Sequence, residues 1–272
     1  RATGVKKVGH GGTLDPMASG IIPIGLGNAT RILEYILQSN KSYIANIYLG
    51  KSTNTFDSEG DIVKTNENPP NNTDSIEKAL NAFRGCIMQT PPPYSAIKRN
   101  GVRLYELARK GILTDVAPRK VKVHKLKIVD FKPPILELFI RCGKGFYVRA
   151  LADDLGKSLR CGGYLKHLRR ISLGKLDISD SVTLADALTL IANGHATDII
   201  QPMDKCLTDF QRVDLSNNET KMIRNGRKIP YNETHVPNGK SLAAAFEPQG
   251  GLAAILIFED SSSEWKPVKV FI

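Results

Sequence analysis

The chain has few cysteines and none close to another. Cys86, Cys142, Cys161 and Cys206 lie far apart with no Cys-x-x-Cys pair, which argues against a structural zinc site and against a disulfide scaffold. Scattered, reduced thiols fit the cytoplasm. The 5 histidines form no His-x-x-x-His pair, so no metal centre is expected. No apolar run approaches the roughly 20 residues that cross a bilayer. The start lacks the uninterrupted apolar core of a signal peptide. It opens on Arg rather than Met, and the chain is read as a fragment without its natural N-terminus. Acid is also short: 27 Asp+Glu stand against 38 Lys+Arg, a net charge of +11.

That imbalance is what the sequence has in excess, and it points to a polyanionic partner. The basic residues are clustered. Tyr94 to Lys125 carries nine Lys/Arg against Glu106 and Asp115, and Leu155 to Leu176 carries six with no acid. A solvated charged face explains one such cluster. Two long ones favour nucleic acid, and neither has the continuous apolar face of a membrane-surface helix.

Helix and strand signals alternate irregularly, as in an α+β protein. Ile32, Leu33, Ile36 and Leu37 have helical spacing, and Ser42 to Leu49 reads as a strand. Asp74 and Glu77 resemble a capping box ahead of Ile76, Ala79, Leu80 and Phe83. Val121–Val129 and Ile135–Cys142 read as strands, and Arg149–Arg160 as a helix. Thr183 caps a further helix. Beyond Cys206, one short capped helix is followed by strand-like Leu242–Phe246, Leu252–Phe258 and Val268–Phe271. The expected division is therefore 1–205 and a small β-rich domain over 206–272.

One loop concentrates the chemistry. Gly9 to Gly20 sets Asp15 among four glycines, with Pro16 behind it and His10 nearby. Glycine allows close approach, and proline fixes the backbone beside the carboxylate. An ordinary turn with a self-bonded Asp explains these residues equally well. Cofactor motifs fail. Gly50-Lys51-Ser52 resembles a P-loop end, but Ala45 stands where its first glycine belongs. Gly25-Leu26-Gly27 leads to Thr30 where a dinucleotide fingerprint has glycine. No cofactor is expected.

Four separated segments carry a family resemblance. Gly-His-Gly-Gly-Thr-Leu-Asp-Pro-Met-Ala-Ser-Gly (9–20), with the run to Arg31, resembles the catalytic loop of the TruB family of tRNA pseudouridine synthases. Lys41-Ser42-Tyr43, with Thr53 to Asp57, is similar to that family's tyrosine strand and the loop after it. Tyr94 to Gly111 resembles its RNA-gripping insertion, here about 91–118. Cys142 to Arg149, Asp153 to Gly156 and Tyr164 to Arg170 match its later active-site motifs. The family's earlier Lys-Pro-x-Gly segment has no counterpart in this sequence.

The resemblance implies a pseudouridine-synthase catalytic fold with a mixed, largely antiparallel sheet, and a small PUA-like C-terminal domain. It implies that the chain isomerises uridine 55 in the TΨC stem-loop of tRNA, as a monomer without metal or nucleotide cofactor. Asp15 would be the essential catalytic residue, Arg149 its guanidinium partner and Tyr43 the ring against the target base. Leu168 would pack under the flipped uracil, and Tyr147 would orient Arg149 or fill the core. His10 would occupy the space left in the RNA. Arg31, Lys98, Arg109, Lys166, Arg169 and Arg170 would hold substrate, mostly through phosphates. A guide-RNA-dependent relative acting on ribosomal RNA, and a non-catalytic RNA-binding or folding chaperone, are the alternatives. If the basic clusters bind RNA backbone, tRNA affinity measured by filter binding falls steeply between low and moderate salt. A flat response contradicts the charge reading.

Overall fold

The computed structural model describes residues 2–66, 68–95, 97–99, 101–109, 111–112, 116–207, 209–230 and 242–272, excepting the side chains of Lys98, Arg99, Arg103 and Arg109. In chain order its elements begin with β1 (Val8–His10), β2 (Ala18–Gly20), β3 (Ile24–Leu26), α1 (Leu33–Gln38) and β4 (Lys41–Leu49). Next come β5 (Lys51–Thr53), β6 (Ile62–Thr65), α2 (Thr73–Leu80), β7 (Gly85–Gln89), β8 (Lys98–Arg99), β9 (Val102–Arg103) and α3 (Leu104–Arg109). Then follow β10 (Arg119–Lys132), β11 (Ile135–Cys142), α4 (Val148–Ser158), β12 (Gly163–Leu173), β13 (Leu176–Asp177), α5 (Leu184–Ala192) and α6 (Ala196–Ile199). The last are β14 (Gln211–Asp214), α7 (Asn217–Arg224), β15 (Ile229–Pro230), β16 (Leu242–Phe246), β17 (Leu252–Glu259) and β18 (Glu264–Val270).

Two compact units share these elements: Gly12–Ile22 with Leu37–Asp180, and Arg1–Gly11 with Pro23–Ile36 and Ser181–Ile272. The first is built on a seven-stranded sheet in the order β13-β12-β4-β11-β10-β7, with β2 beside β12. Only the β2–β12 pairing is parallel. Strand β4 alternates: Tyr43, Ala45, Ile47 and Leu49 are buried, while residues between them are mostly half-exposed. That period of two is what one covered sheet face requires. Val148, Leu151, Ala152 and Leu155 of α4, with Ile76 and Leu80 of α2, cover it. Burying a dozen or more such side chains at about 1.5–3 kcal/mol each is the main force holding this unit together.

Side-chain caps open α2, α5 and α7, with one correction to the expected positions. The cap of α2 is Asn72, whose side chain accepts the Ser75 N–H, rather than the expected Asp74. Thr183 caps α5 as expected, accepting the Asp186 N–H. Strand β12 was not foreseen as a strand. Two β-bulges, between Leu165 and His167 and between Arg170 and Ser172, break its alternation. Buried positions therefore run Leu165, then Leu168 and Arg170, then Leu173. A bulge inserts one unpaired residue and shifts which side chains face inward.

The second unit has a five-stranded sheet ordered β14-β16-β17-β18-β15, in which only β14–β16 is parallel. Val213, Ile223, Ala245, Leu256 and Trp265 form its core. Its α7 opens with a full capping box between Ser216 and Glu219. The β1–β3 ribbon also belongs here, pairing Gly9 with Gly25 and His10 with Ile24.

Helix α4 meets β12 backbone to backbone. A Cβ on Gly156 would stand 2.1 Å from the Gly163 nitrogen, so no side chain fits without moving the helix. Gly156→Ala is expected to lower unfolding free energy in urea denaturation by about 2–3 kcal/mol or more. A neutral effect refutes that packing argument.

Candidate active site

Asp15 lies on a loop whose ends are both tied to one side chain. Arg170 donates from Nε to the Ile21 carbonyl at 2.9 Å and from Nη2 to the Gly12 carbonyl at 3.0 Å. Its own carbonyl accepts the Ile21 N–H at 3.0 Å. Gly20 makes this contact possible: its φ is +103°, and a Cβ would stand 2.1 Å from the Arg170 carbonyl oxygen. Within the loop, the Ala18 N–H donates to the Asp15 carbonyl at 2.9 Å, closing the turn after Pro16.

The carboxylate of Asp15 meets the guanidinium of Arg149 side-on. Nε lies 3.0 Å from Oδ2 and Nη2 lies 3.2 Å from Oδ1. Arg149 has further partners: Nη2 donates to the Tyr94 carbonyl at 2.8 Å, and Nη1 faces the Thr55 carbonyl and Asp57 Oδ2, each at 3.3 Å. Three of these five contacts are hydrogen bonds, and the Nε–Asp15 and Nη1–Asp57 contacts are ion pairs. Asp57 is fixed in turn, since its Oδ1 accepts from Thr55 Oγ1 at 2.5 Å and from the Glu59 N–H at 3.1 Å. Side-chain exposure separates the three groups: Arg149 7 % and Asp57 5 %, but Asp15 33 %. Only Asp15 keeps an open edge.

Behind this pair lies a buried tyrosine. Tyr43 stands opposite Arg170 in the β4–β12 register, and Leu168 stands opposite Ala45, so all four share the covered face. Burial first and the Cys142 thiol second push the Tyr43 hydroxyl up to about 12, while Arg170 pulls it back. Its resting form at neutral pH is the neutral phenol. Tyr147 is the N-cap residue of α4, and burial raises its hydroxyl pKa too, opposed by Ser95 and more weakly by Arg119 and Arg149.

Asp15, Arg149, Tyr43, Tyr147 and Leu168 thus lie in one unit. Arg170 departs from expectation. It is 2 % exposed, and it bonds protein carbonyls rather than presenting charge to phosphate. The bulge after Leu165 is the cause, because it turns Arg170 inward beside Tyr43. Lys166 and Arg169 are exposed, and Arg169 pairs with Ile44 on the face opposite Tyr43. His10 is exposed on β1 of the other unit. In that unit Arg31 donates to the Val270 carbonyl and lies 5.0 Å over the Phe271 ring. The side chains of Lys98 and Arg109 lie outside the described residues.

Sequence reading passed over Asp57, which pairs with Arg149, and Gln89, whose amide bonds the Tyr147 peptide. Asp57 ended a quoted motif but was given no role, since nothing in the chain announces its pairing with a residue 92 positions on. Gln89 carried no local signal at all. Among the described residues, no group of three His, Cys, Asp or Glu is placed to hold a metal ion, and no helix is long and apolar enough to cross a membrane.

Residues 1–148 match the TruB family pseudouridylate synthase N-terminal domain, and 149–208 match the tRNA pseudouridylate synthase B C-terminal domain. The chain belongs to the TruB family. A relative from Dehalococcoides mccartyi, named tRNA pseudouridine synthase B, is 40 % identical over 98 % of this chain and 88 % of its own length. One of the same name from Clostridium kluyveri is 42 % identical over 82 % of this chain and 76 % of its own. Two solved structures share the fold. A Cbf5-Nop10-Gar1 complex matches with TM-score 0.75 at 24 % identity, covering 100 % of this chain and 77 % of that one. An H/ACA RNP bound to a substrate RNA containing 2′-deoxyuridine matches with TM-score 0.73 at 20 % identity, covering 100 % and 78 %. The fold is the α+β pseudouridine-synthase type, with a small PUA-like β domain.

Arg170→Met tests the loop-tether reading directly. Turnover should fall at least about tenfold, while the slope of log affinity against log salt for tRNA stays unchanged. A phosphate-contacting arginine would instead lower that slope by about one.

Proposed function

We propose that this TruB-family chain converts uridine 55 in the TΨC arm of tRNA to pseudouridine, with Asp15 as the nucleophilic carboxylate. The observation that carries the reading is the Asp15–Arg149 pair: a buried guanidinium held by two carboxylates and two carbonyls, facing a carboxylate that alone of the three charged groups keeps an exposed edge.

The reaction breaks the bond from uracil N1 to ribose C1′, turns the base, and joins C5 to C1′. The C5 proton is lost and N1 gains one, so atoms balance without oxidant, donor or water. A carboxylate suits such chemistry because it adds to an electrophilic carbon, or stabilises a cationic sugar, and leaves again. Arg149 fixes the plane of Asp15 by its side-on fork and leaves one edge free. Asp57 holds the guanidinium from the far side. Tyr43 and Leu168 supply the apolar face beneath the uracil. Because Tyr43 rests as a neutral phenol, any proton it takes from C5 requires its own to move first. Arg170, which opposes the raised pKa, is the neighbour that eases that transfer.

A stacked uridine reaches this carboxylate only when turned out of the RNA. His10 is read as filling the space it leaves. Lys98, Arg109, Lys166 and Arg169 are read as holding the folded loop through its backbone, as structured RNA is commonly held. The same reading has one chain acting in the cytoplasm without metal or nucleotide cofactor.

The test is chemical mapping of pseudouridine on an unmodified tRNA transcript. Product should appear at the single T-arm uridine, and Asp15→Asn should reduce it by more than about a thousandfold. Binding without product, or product only after adding a guide RNA, overturns the proposal.

A further inference from the structure

We propose that Gln89 is a positioning residue for the reaction, setting Arg149, and through it Asp15, in working geometry. The inference rests on the reading of the Asp15–Arg149 pair as the reacting centre. Gln89 ends β7 and points inward, 3 % exposed. Its Oε1 accepts the Tyr147 N–H at 2.8 Å, and its Nε2 donates to the Tyr147 carbonyl at 3.0 Å.

Both polar groups of one peptide residue are therefore held by one rigid amide. Tyr147 is the N-cap of α4 and has no side-chain cap bond of its own. A helix start without a cap is free to fray. Here the entry point of the helix is fixed from outside, two residues before Arg149.

The same stretch returns to the guanidinium. Five residues after Gln89, the Tyr94 carbonyl accepts from Arg149 Nη2 at 2.8 Å. Between them run Thr90 and Pro91-Pro92-Pro93. Proline locks φ at each of three consecutive positions, so the Tyr94 carbonyl is a stiffly held acceptor. Gln89, the Tyr147 peptide, the Arg149 side chain and the Tyr94 carbonyl thus close a ring through the chain. Opening it at Gln89 releases the helix start while the prolines still hold the acceptor, and the fork on Asp15 loses alignment. Misplacement on the order of 1 Å at a reacting group costs up to about a hundredfold in rate.

Gln89 touches no reacting atom, so its substitution should change turnover rather than binding. Steady-state pseudouridine formation on unmodified tRNA transcript, tRNA affinity and thermal unfolding are measured for Gln89→Met, which keeps length and loses both bonds. They are also measured for Gln89→Glu, which keeps only the acceptor for the Tyr147 N–H. We expect kcat to fall about ten- to hundredfold in Gln89→Met, with KM and tRNA affinity within about twofold. Gln89→Glu should fall in between, and Met88→Ala, on the exposed face of the same strand, should match the parent chain.

Unchanged kcat in Gln89→Met overturns the proposal, as does a loss in which kcat, KM and melting temperature move together. If Gln89→Met does not fold, the split between kcat and KM in Gln89→Glu decides by the same criteria. Asp15→Asn is run alongside. Activity in Asp15→Asn defeats the underlying site reading, whereas an inactive Asp15→Asn beside a fully active Gln89→Met defeats this inference alone.

Discussion

The guanidinium of Arg149 is the interaction on which the rest of the site depends. Four stretches of chain reach it: the loop carrying Asp15, the turn carrying Thr55 and Asp57, the proline-stiffened strand exit at Tyr94, and α4 itself. Arginine is the residue for such a junction, because its donors lie in one plane and stay charged at any working pH. A buried charge of this kind costs much desolvation unless it is paired and hydrogen-bonded, and here it meets two carboxylates and two carbonyls. Two carboxylates share the one cation, and the less buried of them is free to meet a substrate.

Precision at that junction comes from contacts that exclude side chains. Gly20 brings the Asp15 loop onto the backbone of Arg170, and Gly156 brings α4 onto Gly163. Both distances are set by main-chain atoms, which have no rotamers to relax. Arg170 then ties the loop at two carbonyls, while Gln89 ties the helix start at one peptide. The rigid sheet supplies the frame, and short polar bonds place Asp15 and Arg149 on it.

Much of this was legible in the sequence. The family motifs pointed to Asp15, Tyr43 and Arg149, which the fold brings into one unit, and the strand pair β10–β11 and the helices α2, α4 and α7 were legible from residue patterning. The failures have physical causes. Strand β12 carries lysine, histidine and arginine at both inward and outward phases, so no alternation survives to be read. Arg170 looked like one more surface cation among six, although its position relative to the bulge buries it. Asp57 and Gln89 act through pairings 92 and 58 residues away, and only the folded sheet brings those partners together. The cap of α2 fell at Asn72, two residues before the box read at Asp74, because the Asn72 side chain is the one that reaches the Ser75 N–H.

The two bulges of β12 give that strand something like a reading frame. Before Lys166 and after Ile171 the inward phase is the same; between them it is displaced by one. Leu168 and Arg170 face the core only because they fall inside the displaced window. Closing the bulge at Lys166 with no residue lost would put His167 and Arg169 in their place without altering any residue named in the site. Strand length and spacing at this point are therefore as much part of the chemistry as residue identity, and a lineage that loses one bulge can retain every recognisable motif while presenting the wrong face.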